Sequence, residues 1–205
     1  MSQATPQQSA LVPSLIETDS ISADTILNAA LTLGDINGWE RLTLTQIARY
    51  LKVSLADIHQ HVKQKDDLVD AWFDRADAHM LSRFPQQGVS LNRTQRLNLA
   101  MQSWLDFLGR HHKLTADMLL YKLEPGHIHL QAAGVLRISR TVQWFREAAD
   151  LKATHMARIG QEIALSSLFA TIFLHWLKDP TKHQARTRER LQQALTQGKR
   201  IRLWT

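Results

Sequence analysis

The chain has 205 residues, enough for one well-cored domain or for a small domain joined to a larger one. It contains no cysteine, which excludes disulfides, thiolate zinc sites and cysteine nucleophiles and fits a cytoplasmic location. The formal net charge of +6 favours acidic partners such as nucleic acid or anionic lipid. That charge is unevenly placed, because residues 178–205 carry +6 by themselves while residues 21–68 are close to neutral.

Residues 1–20 lack the basic and apolar segments of a signal peptide, and we expect them to form a disordered tail. The longest uncharged apolar run, residues 163–177, is shorter than the roughly 18 residues that indicate a membrane-spanning helix. We interpret it as a buried core helix or a subunit-interface helix. Elsewhere apolar residues recur three and four positions apart, and strand-like alternation is nearly absent, so the sequence predicts an all-α fold.

A first helix is predicted to begin after Ser22, which has the side chain of an N-cap, and to end at Asn37-Gly38. Because helical neighbours are three and four residues apart, one face of this helix is expected to point inward. The residues of that face are Ile26, Ala29, Ala30, Leu33 and Ile36.

Two short helices follow. Thr43, with Gln46 three residues later, predicts a capping box at the start of the second helix, and Ser54 with Asp57 predicts one at the start of the third. A tight corner at Lys52-Val53 separates them, which is the spacing of a helix-turn-helix. The residues expected to face inward are Leu44, Ile47, Ala48, Leu51, Ile58 and Val62.

A fourth helix is predicted from about residue 66 to 84, with Leu68, Trp72, Ala76 and Met80 along one stripe. Residues 85–92 have the composition of a linker. Later helices are expected near residues 93–110, 114–123, 129–150, 154–178 and 184–198. We assign residues 1–20 to the tail, 21–68 to a helix-turn-helix domain and 69–205 to a larger helical domain.

The pattern ILNAA, then LTLTQIARYLKVSLADIHQHVKQKDDLV, resembles the N-terminal domain of the tetracycline-repressor (TetR) family of transcriptional regulators. The resemblance rests on an apolar first helix, Leu-Thr before Ile-Ala, Val-Ser at the turn, and a lysine followed three residues later by a leucine. It covers roughly residues 22–72. As a set these elements are fairly specific, although each alone is weak.

The resemblance implies a ligand-responsive regulator, a repressor, that binds a palindromic operator in double-stranded DNA as a homodimer. The paired third helices would enter successive major grooves, while the C-terminal helices dimerise and enclose a small apolar effector or lipid. No cofactor is implied. The DNA contacts carried over from the family are Thr43, Thr45, Ser54, Leu55, Ala56, Asp57, His59, Gln60, His61, Lys63 and Lys65, with Lys65 placed on a phosphate.

The chain departs from the family pattern at several of these positions. Lys52 stands where the turn commonly has glycine, and His59 stands where tyrosine is usual. Asp57 is expected to project a carboxylate toward the phosphates, where the family usually has a neutral residue. Residues 21–68 supply five Lys and Arg residues against six acidic ones, so we expect weak electrostatic attraction to DNA.

Six large side chains of the C-terminal domain are candidates for a ligand pocket. They have helical spacing, which is equally typical of ordinary core packing, so both interpretations stay open. The six are Trp104, Phe107, Met118, Tyr121, Trp144 and Phe145.

The basic tail, residues 184–205, allows a second hypothesis. Its last helix has an apolar side with Leu191 and Leu195, and it is followed by Lys and Arg residues and Trp204. An amphipathic element of this kind could lie on an anionic membrane surface, with Trp204 at the interface. The stretch from residue 165 to 195 also resembles the C-terminal part of a TetR-like accessory family of ubiquinone biosynthesis, which implies a lipid-binding protein with a vestigial DNA-binding head.

Enzyme function has little support in the sequence. There is no glycine-rich phosphate loop and no G-x-S-x-G motif, and we name no catalytic residue. His127 and His129 are two residues apart and His111 and His112 are adjacent, and neither pair has the spacing of a zinc helix. We therefore expect no metal site.

Overall fold

The computed structural model describes residues 21–84, 90–123 and 128–204, without the side chains of residues 120–123 and 128–136. The expected tail, residues 1–20, lies outside the described residues, as does most of the expected linker. The described chain contains α-helices, two short 3-10 turns and no strand, which confirms the all-α prediction. The helices are α1 (Ala23–Asn37), α2 (Leu44–Leu51), α3 (Leu55–His61), α4 (Lys65–Ser82), α5 (Arg93–Leu108), α6 (His112–Leu123), α7 (Ile128–Ala148), α8 (His155–Leu177) and α9 (Ala185–Arg200).

Helix α1 begins and ends where the sequence predicts. The Ser22 hydroxyl accepts a hydrogen bond from the Thr25 amide at 3.1 Å, and Gly38 ends the helix with φ at 81°. One inward residue was predicted wrongly, because Ile36 is 73% exposed. The buried side of α1 passes through Gly34, which packs against Leu114 of α6. Two residues advance a helix by about 200°, so Ile36 points away from that contact.

Helices α2 and α3 form the predicted helix-turn-helix. At the start of α2, the Gln46 amide donates to the Thr43 hydroxyl at 3.2 Å while the Thr43 amide donates to the Gln46 side chain at 3.0 Å. The corner places Lys52 in the left-handed region, with φ at 58°. A residue with a Cβ adopts this conformation at a cost of roughly 1 kcal/mol relative to glycine, which explains why glycine is favoured at this position.

Helix α4 connects the helix-turn-helix to the rest of the protein. Its predicted stripe is buried, with Leu68, Trp72, Ala76 and Met80 all at most 2% exposed. It packs on α1, where Arg75 donates to the side chains of Asn28 and Asp24, and on α5 and α7. The Trp72 indole N–H donates to the Thr115 hydroxyl of α6 at 3.0 Å. We call α1 to α3 with the start of α4 the head, and the rest of α4 with α5 to α9 the body.

The core of the C-terminal body is rich in aromatic rings. Trp104 of α5 lies parallel to Phe73 of α4 at 5.8 Å between ring centres, and it meets Phe169 and Phe173 of α8 edge-on at 5.2 and 5.3 Å. Such contacts add roughly 0.5–1.5 kcal/mol per pair to the burial of apolar area. They hold α4, α5 and α8 together at the centre of the body.

The C-terminal end of the chain folds back on α9. The Trp204 indole N–H donates to the Leu195 carbonyl at 3.1 Å, and its ring lies so close to Gly198 that a Cβ there would meet it at 2.4 Å. The Leu203 carbonyl also accepts a hydrogen bond from Gln161 of α8 at 2.7 Å. Trp204 is only 6% exposed, so the expectation that it sits at a membrane interface is wrong.

Candidate nucleic-acid interface

Helix α3 is attached to the head by one side and presents the other side to solvent. Ile58 and Val62 are 1% and 4% exposed and anchor the helix in the core. On the outer face Leu55 is 50% exposed. The remaining exposed residues of this face are Ala56, His59, Gln60 and His61. These residues coincide with the base-contact positions that the family resemblance implies, and the structure brings them onto one surface.

Asp57 has a different environment from the one expected. Its carboxylate accepts hydrogen bonds from the Ser54 amide at 2.8 Å and the Ser54 hydroxyl at 2.7 Å, while its own amide donates to that hydroxyl at 3.1 Å. These hydrogen bonds from Ser54 lower the pKa of Asp57. One oxygen of the carboxylate is therefore held within the cap at the start of α3, and its relation to the phosphates stays a prediction.

The rim of this surface is polar and exposed. Thr43 and Thr45 flank the start of α2. Lys63 donates from its ammonium to the His59 carbonyl at 2.6 Å and stays exposed at the end of α3. Sequence reasoning missed Tyr50 of α2, which is 54% exposed. The exposure of Tyr50 could have been predicted from the sequence, because Tyr50 is not among the residues of α2 that were expected to face inward.

Lys65, at the start of α4, lies against the loop between α1 and α2. Its ammonium donates to the Trp39 carbonyl at 2.5 Å and to the Glu40 carbonyl at 3.1 Å, and it lies 4.9 Å from the centre of the Trp39 ring. Desolvation lowers the pKa of Lys65. Lys65 thereby holds the loop between α1 and α2 against the start of α4, and its contact with a phosphate stays a prediction.

The candidate pocket residues of the body are mostly core. Trp104, Phe107, Met118 and Phe145 are buried, and Trp104 and Phe145 meet edge-on at 6.4 Å. Trp144 is 41% exposed on the surface of α7, and its place in a ligand pocket stays a prediction. The side chain of Tyr121 lies outside the described residues.

A cleft of about 600 Å³ lies instead at the junction of head and body. It is bordered on one side by the end of α1 and the loop that follows, including Ile36 and Glu40, and on the other by Lys113 and Asp117 of α6. A hydrogen bond between Asp35 and His111, with 2.5 Å between Oδ2 and Nδ1, joins the end of α1 to the turn before α6. Helix α6 and the head thus meet across a polar opening.

A buried polar cluster joins α4, α5 and α7. The Asp77 carboxylate accepts hydrogen bonds from the Trp104 indole at 2.7 Å, the Arg137 guanidinium at 2.9 Å and the Thr141 hydroxyl at 3.1 Å. Asp77 and Arg137 are 4% and 6% exposed. Sequence reasoning missed this pair, although Asp77 falls on the apolar face of α4, four residues after Phe73 and three before Met80.

No group of three or more His, Asp or Glu side chains suited to a metal ion occurs in the part of the chain that the structure describes. His127, from the pair noted in the sequence, lies outside that part, and the side chain of His129 is not described. The described histidines include His111, which pairs with Asp35, and His112, whose ring bonds the Trp176 carbonyl at 2.9 Å.

Solved structures similar to this one include transcriptional regulators. No protein-family profile matches the sequence, and no curated protein matches it. A solved TetR transcriptional regulator from Nitrosomonas europaea ATCC 19718 is 38% identical, with a TM-score of 0.76, over 85% of this chain and 96% of that one. A TetR transcriptional regulator from Rhodococcus sp. RHA1 is 17% identical, with a TM-score of 0.61, over 84% of this chain and 94% of that one. A TetR-family transcriptional regulator from Streptomyces coelicolor is 16% identical, with a TM-score of 0.54, over 85% and 77%.

The last two similarities concern the fold alone, whereas the first also joins sequence to fold over nearly the whole relative. The chain belongs to the TetR family of transcriptional regulators. It is a helix-turn-helix regulator with an all-α fold, which confirms the class of function that the resemblance predicted. The alternative hypothesis, a lipid-binding accessory protein with a vestigial DNA-binding head, is not favoured.

Proposed function

We propose that this regulator binds a palindromic operator in duplex DNA through α3 and represses transcription as a homodimer. The observation that carries the proposal is the outer face of α3, which is exposed along its length while Ile58 and Val62 fix the helix in the head. A short helix held in this way fits the major groove and can place its side chains on base edges. Action on chromosomal DNA places the protein in the cytoplasm.

The operator can be found by selection from random duplexes at low salt, followed by binding measurements on the enriched sequence. We expect the double variant His59→Ala, Gln60→Ala to lose discrimination between this sequence and random DNA, because it removes two exposed polar side chains of α3. Gln193→Ala, an exposed glutamine on α9, is the matched control and should keep it. Absence of any enriched sequence would contradict the proposal.

The proposed partner subunit is a second copy that packs against α8. Helix α8 carries an exposed apolar row, with Met156 at 77%, Ile159 at 50%, Ile163 at 63% and Leu174 at 55% exposed. The row continues through the small Gly160, where nothing lies within 4 Å of a Cβ position. Small and apolar residues along a helix allow another helix to approach closely, and an exposed row of this kind is typical of a subunit interface.

The same helix can be read as a membrane element. Within the described residues α8 is long and apolar enough to cross a membrane by length and composition. Its other face, however, carries Leu165, Phe169, Ile172 and Trp176, which are all at most 1% exposed in the core of the body. A helix with one face in the protein core and the other exposed supports the interface interpretation.

The mass of the protein in solution tests the dimer. We expect twice the 23.4 kDa of the chain for the wild type and the single-chain mass for Ile163→Arg, because a charge in an apolar interface is costly. Ile36→Arg makes the same change at an exposed isoleucine of α1 and should leave the dimer intact. A monomeric wild type at micromolar concentration would rule the proposed interface out.

The proposed signal is a small apolar effector that binds among the C-terminal helices and changes the separation of the two heads. Two α3 helices must lie roughly 34 Å apart to enter successive major grooves, so a modest shift abolishes simultaneous binding. Support comes from α4, which starts in the head and is packed on α5 and α7 in the body. A neutral fluorescent aryl amine such as phenylnaphthylamine is a suitable probe, and operator DNA should reduce its binding, since coupling between two sites is reciprocal. Equal probe binding with and without operator would contradict the coupling.

A further inference from the structure

The outer face of α3 carries two apolar side chains in its first turn. Leu55 is 50% exposed, and Ala56 beside it is exposed as well. Neither side chain is needed for the core of the head, since the inward positions of α3 are filled by Ile58 and Val62. In the major groove the apolar feature that distinguishes base pairs is the 5-methyl group of thymine. An exposed leucine beside an alanine is therefore suited to that methyl group.

The capping of α3 removes a competing specificity. A free carboxylate on this face would accept a hydrogen bond from the cytosine amino group and favour G·C pairs. The Asp57 carboxylate is instead bonded to the Ser54 amide and hydroxyl at 2.8 and 2.7 Å. The first turn of α3 thus offers the bases apolar groups, while the Oδ2 atom of its carboxylate is held within its own cap.

One turn further along, the same face carries an exposed amide. Gln60 is four residues after Ala56, and residues with this spacing lie on the same side of a helix. A glutamine amide donates and accepts at once, which matches the N6 and N7 atoms of adenine. Four residues correspond to about 6 Å along a helix, which is about two base-pair steps of 3.4 Å each.

We infer that α3 selects A·T pairs, with Leu55 and Ala56 contacting thymine methyl groups and Gln60 pairing with adenine about two steps away. The inference rests on the proposed operator binding and adds the identity of the bases that are read. It assigns Leu55 as a specificity-determining residue that acts through an apolar contact, in a head whose Lys and Arg residues do not outnumber its acidic ones.

The test uses operator duplexes in which each thymine of the selected half-site is replaced singly by uracil. This change deletes only the methyl group and keeps base pairing. The full-length wild type should bind roughly fourfold more weakly when a contacted methyl is lost, as expected for one buried methyl-sized group. Leu55→Ala should lose this discrimination at the thymine that Leu55 contacts and keep it at the thymine beside Ala56, while Leu55→Met, which keeps apolar reach, should restore part of the lost discrimination.

A second modification examines the amide contact. Replacement of the relevant adenine by 7-deazaadenine removes the N7 acceptor, and it should weaken the wild type but not Gln60→Ala. Helix content is recorded for every variant, and Ile36→Ala, an exposed residue outside α3, should behave as the wild type in both series. Enriched DNA that binds tightly but is insensitive to uracil at every position would overturn the inference and leave operator binding intact. A selection that enriches no DNA would instead overturn the proposed function.

Discussion

The head and the body of this regulator are stabilised in different ways. In the head, α2 and α3 have 8 and 7 residues, too short to be stable alone, and each begins with an exposed capping box. In the body the helices are longer, and they are joined by packed aromatic rings and by the buried Asp77–Arg137 pair. Local hydrogen bonds suit a small unit that must expose one side to DNA. Buried contacts between distant residues suit the larger part, which has to hold a fixed shape.

The largest effect is expected from Asp77 in the body. Asp77→Ala leaves the buried Arg137 guanidinium without its main carboxylate, which should lower the free energy of unfolding by roughly 3–5 kcal/mol in urea titrations. Asp74→Ala, one turn earlier on α4, removes an exposed carboxylate 3.2 Å from the same guanidinium. It should cost less than about 1 kcal/mol. Equal losses for the two variants would contradict the importance of burial.

A second effect concerns the buried cap between α8 and α9. Asp179 accepts hydrogen bonds from the amides and hydroxyls of Thr181 and Thr187 at 2.6 to 3.0 Å. Burial opposes ionisation, but these hydrogen bonds outweigh it and hold the pKa of Asp179 well below its ordinary value. Asp179→Ala should lower the free energy of unfolding by about 2 kcal/mol at neutral pH.

The pH dependence of this loss gives a further check. A depressed pKa in the folded state stabilises the protein above the unfolded-state pKa of about 3.9, and that contribution disappears as the pH falls below it. The difference between wild type and Asp179→Ala should therefore shrink between about pH 4 and pH 2. Asp106→Ala, which breaks an exposed pair with Arg188, should cost under about 1 kcal/mol. A difference for Asp179→Ala that is constant with pH would contradict the role of the carboxylate charge.

Substitutions of Lys65 and Lys63 are expected to separate effects on stability from effects on DNA affinity. Lys65→Ala removes the hydrogen bonds to the Trp39 and Glu40 carbonyls and should lower the free energy of unfolding by about 1–2 kcal/mol. The slope of log affinity against log salt should stay unchanged, because the ammonium is engaged by the Trp39 and Glu40 carbonyls. Lys63→Ala is the matched control, since this exposed lysine should reduce the slope by about one while leaving stability nearly unaffected. A reduced slope for Lys65→Ala would instead support a contact between Lys65 and a phosphate.

The smallest effect is expected at the corner of the helix-turn-helix. Lys52→Gly should raise the free energy of unfolding by about 0.5–1 kcal/mol, because glycine adopts a φ near 58° without a Cβ penalty. Thermal unfolding at fixed protein concentration would measure it. Lys178→Gly, at a helix end with φ at −105°, should bring no such gain. Destabilisation by Lys52→Gly would show that other contacts of the lysine outweigh the strain.

Features set by neighbouring residues were predictable. The starts of α1, α2 and α3 follow from Ser22, Thr43 and Ser54, because a cap is formed by residues two or three positions apart. The exposed face of α3 was also placed correctly, since it is the complement of the inward Ile58 and Val62. The division into domains at residue 68 and the individual DNA contacts stay predictions.

Features that depend on residues distant in the sequence were not predictable from the sequence. In the sequence Lys65 has the pattern of a solvent-exposed lysine. In the folded chain its ammonium contacts Trp39, which is 26 residues earlier. The partner of Asp77, Arg137, is 60 residues away in the sequence. Trp204 follows a basic helix, as an interfacial tryptophan would, but in the folded chain its ring packs on Gly198. The sequence by itself determined the helices, their caps and the helix-turn-helix, since these depend on short-range hydrogen bonds and periodicity. Only the tertiary structure decided which charged and aromatic side chains are used internally, because that depends on how completely packed helices remove them from water.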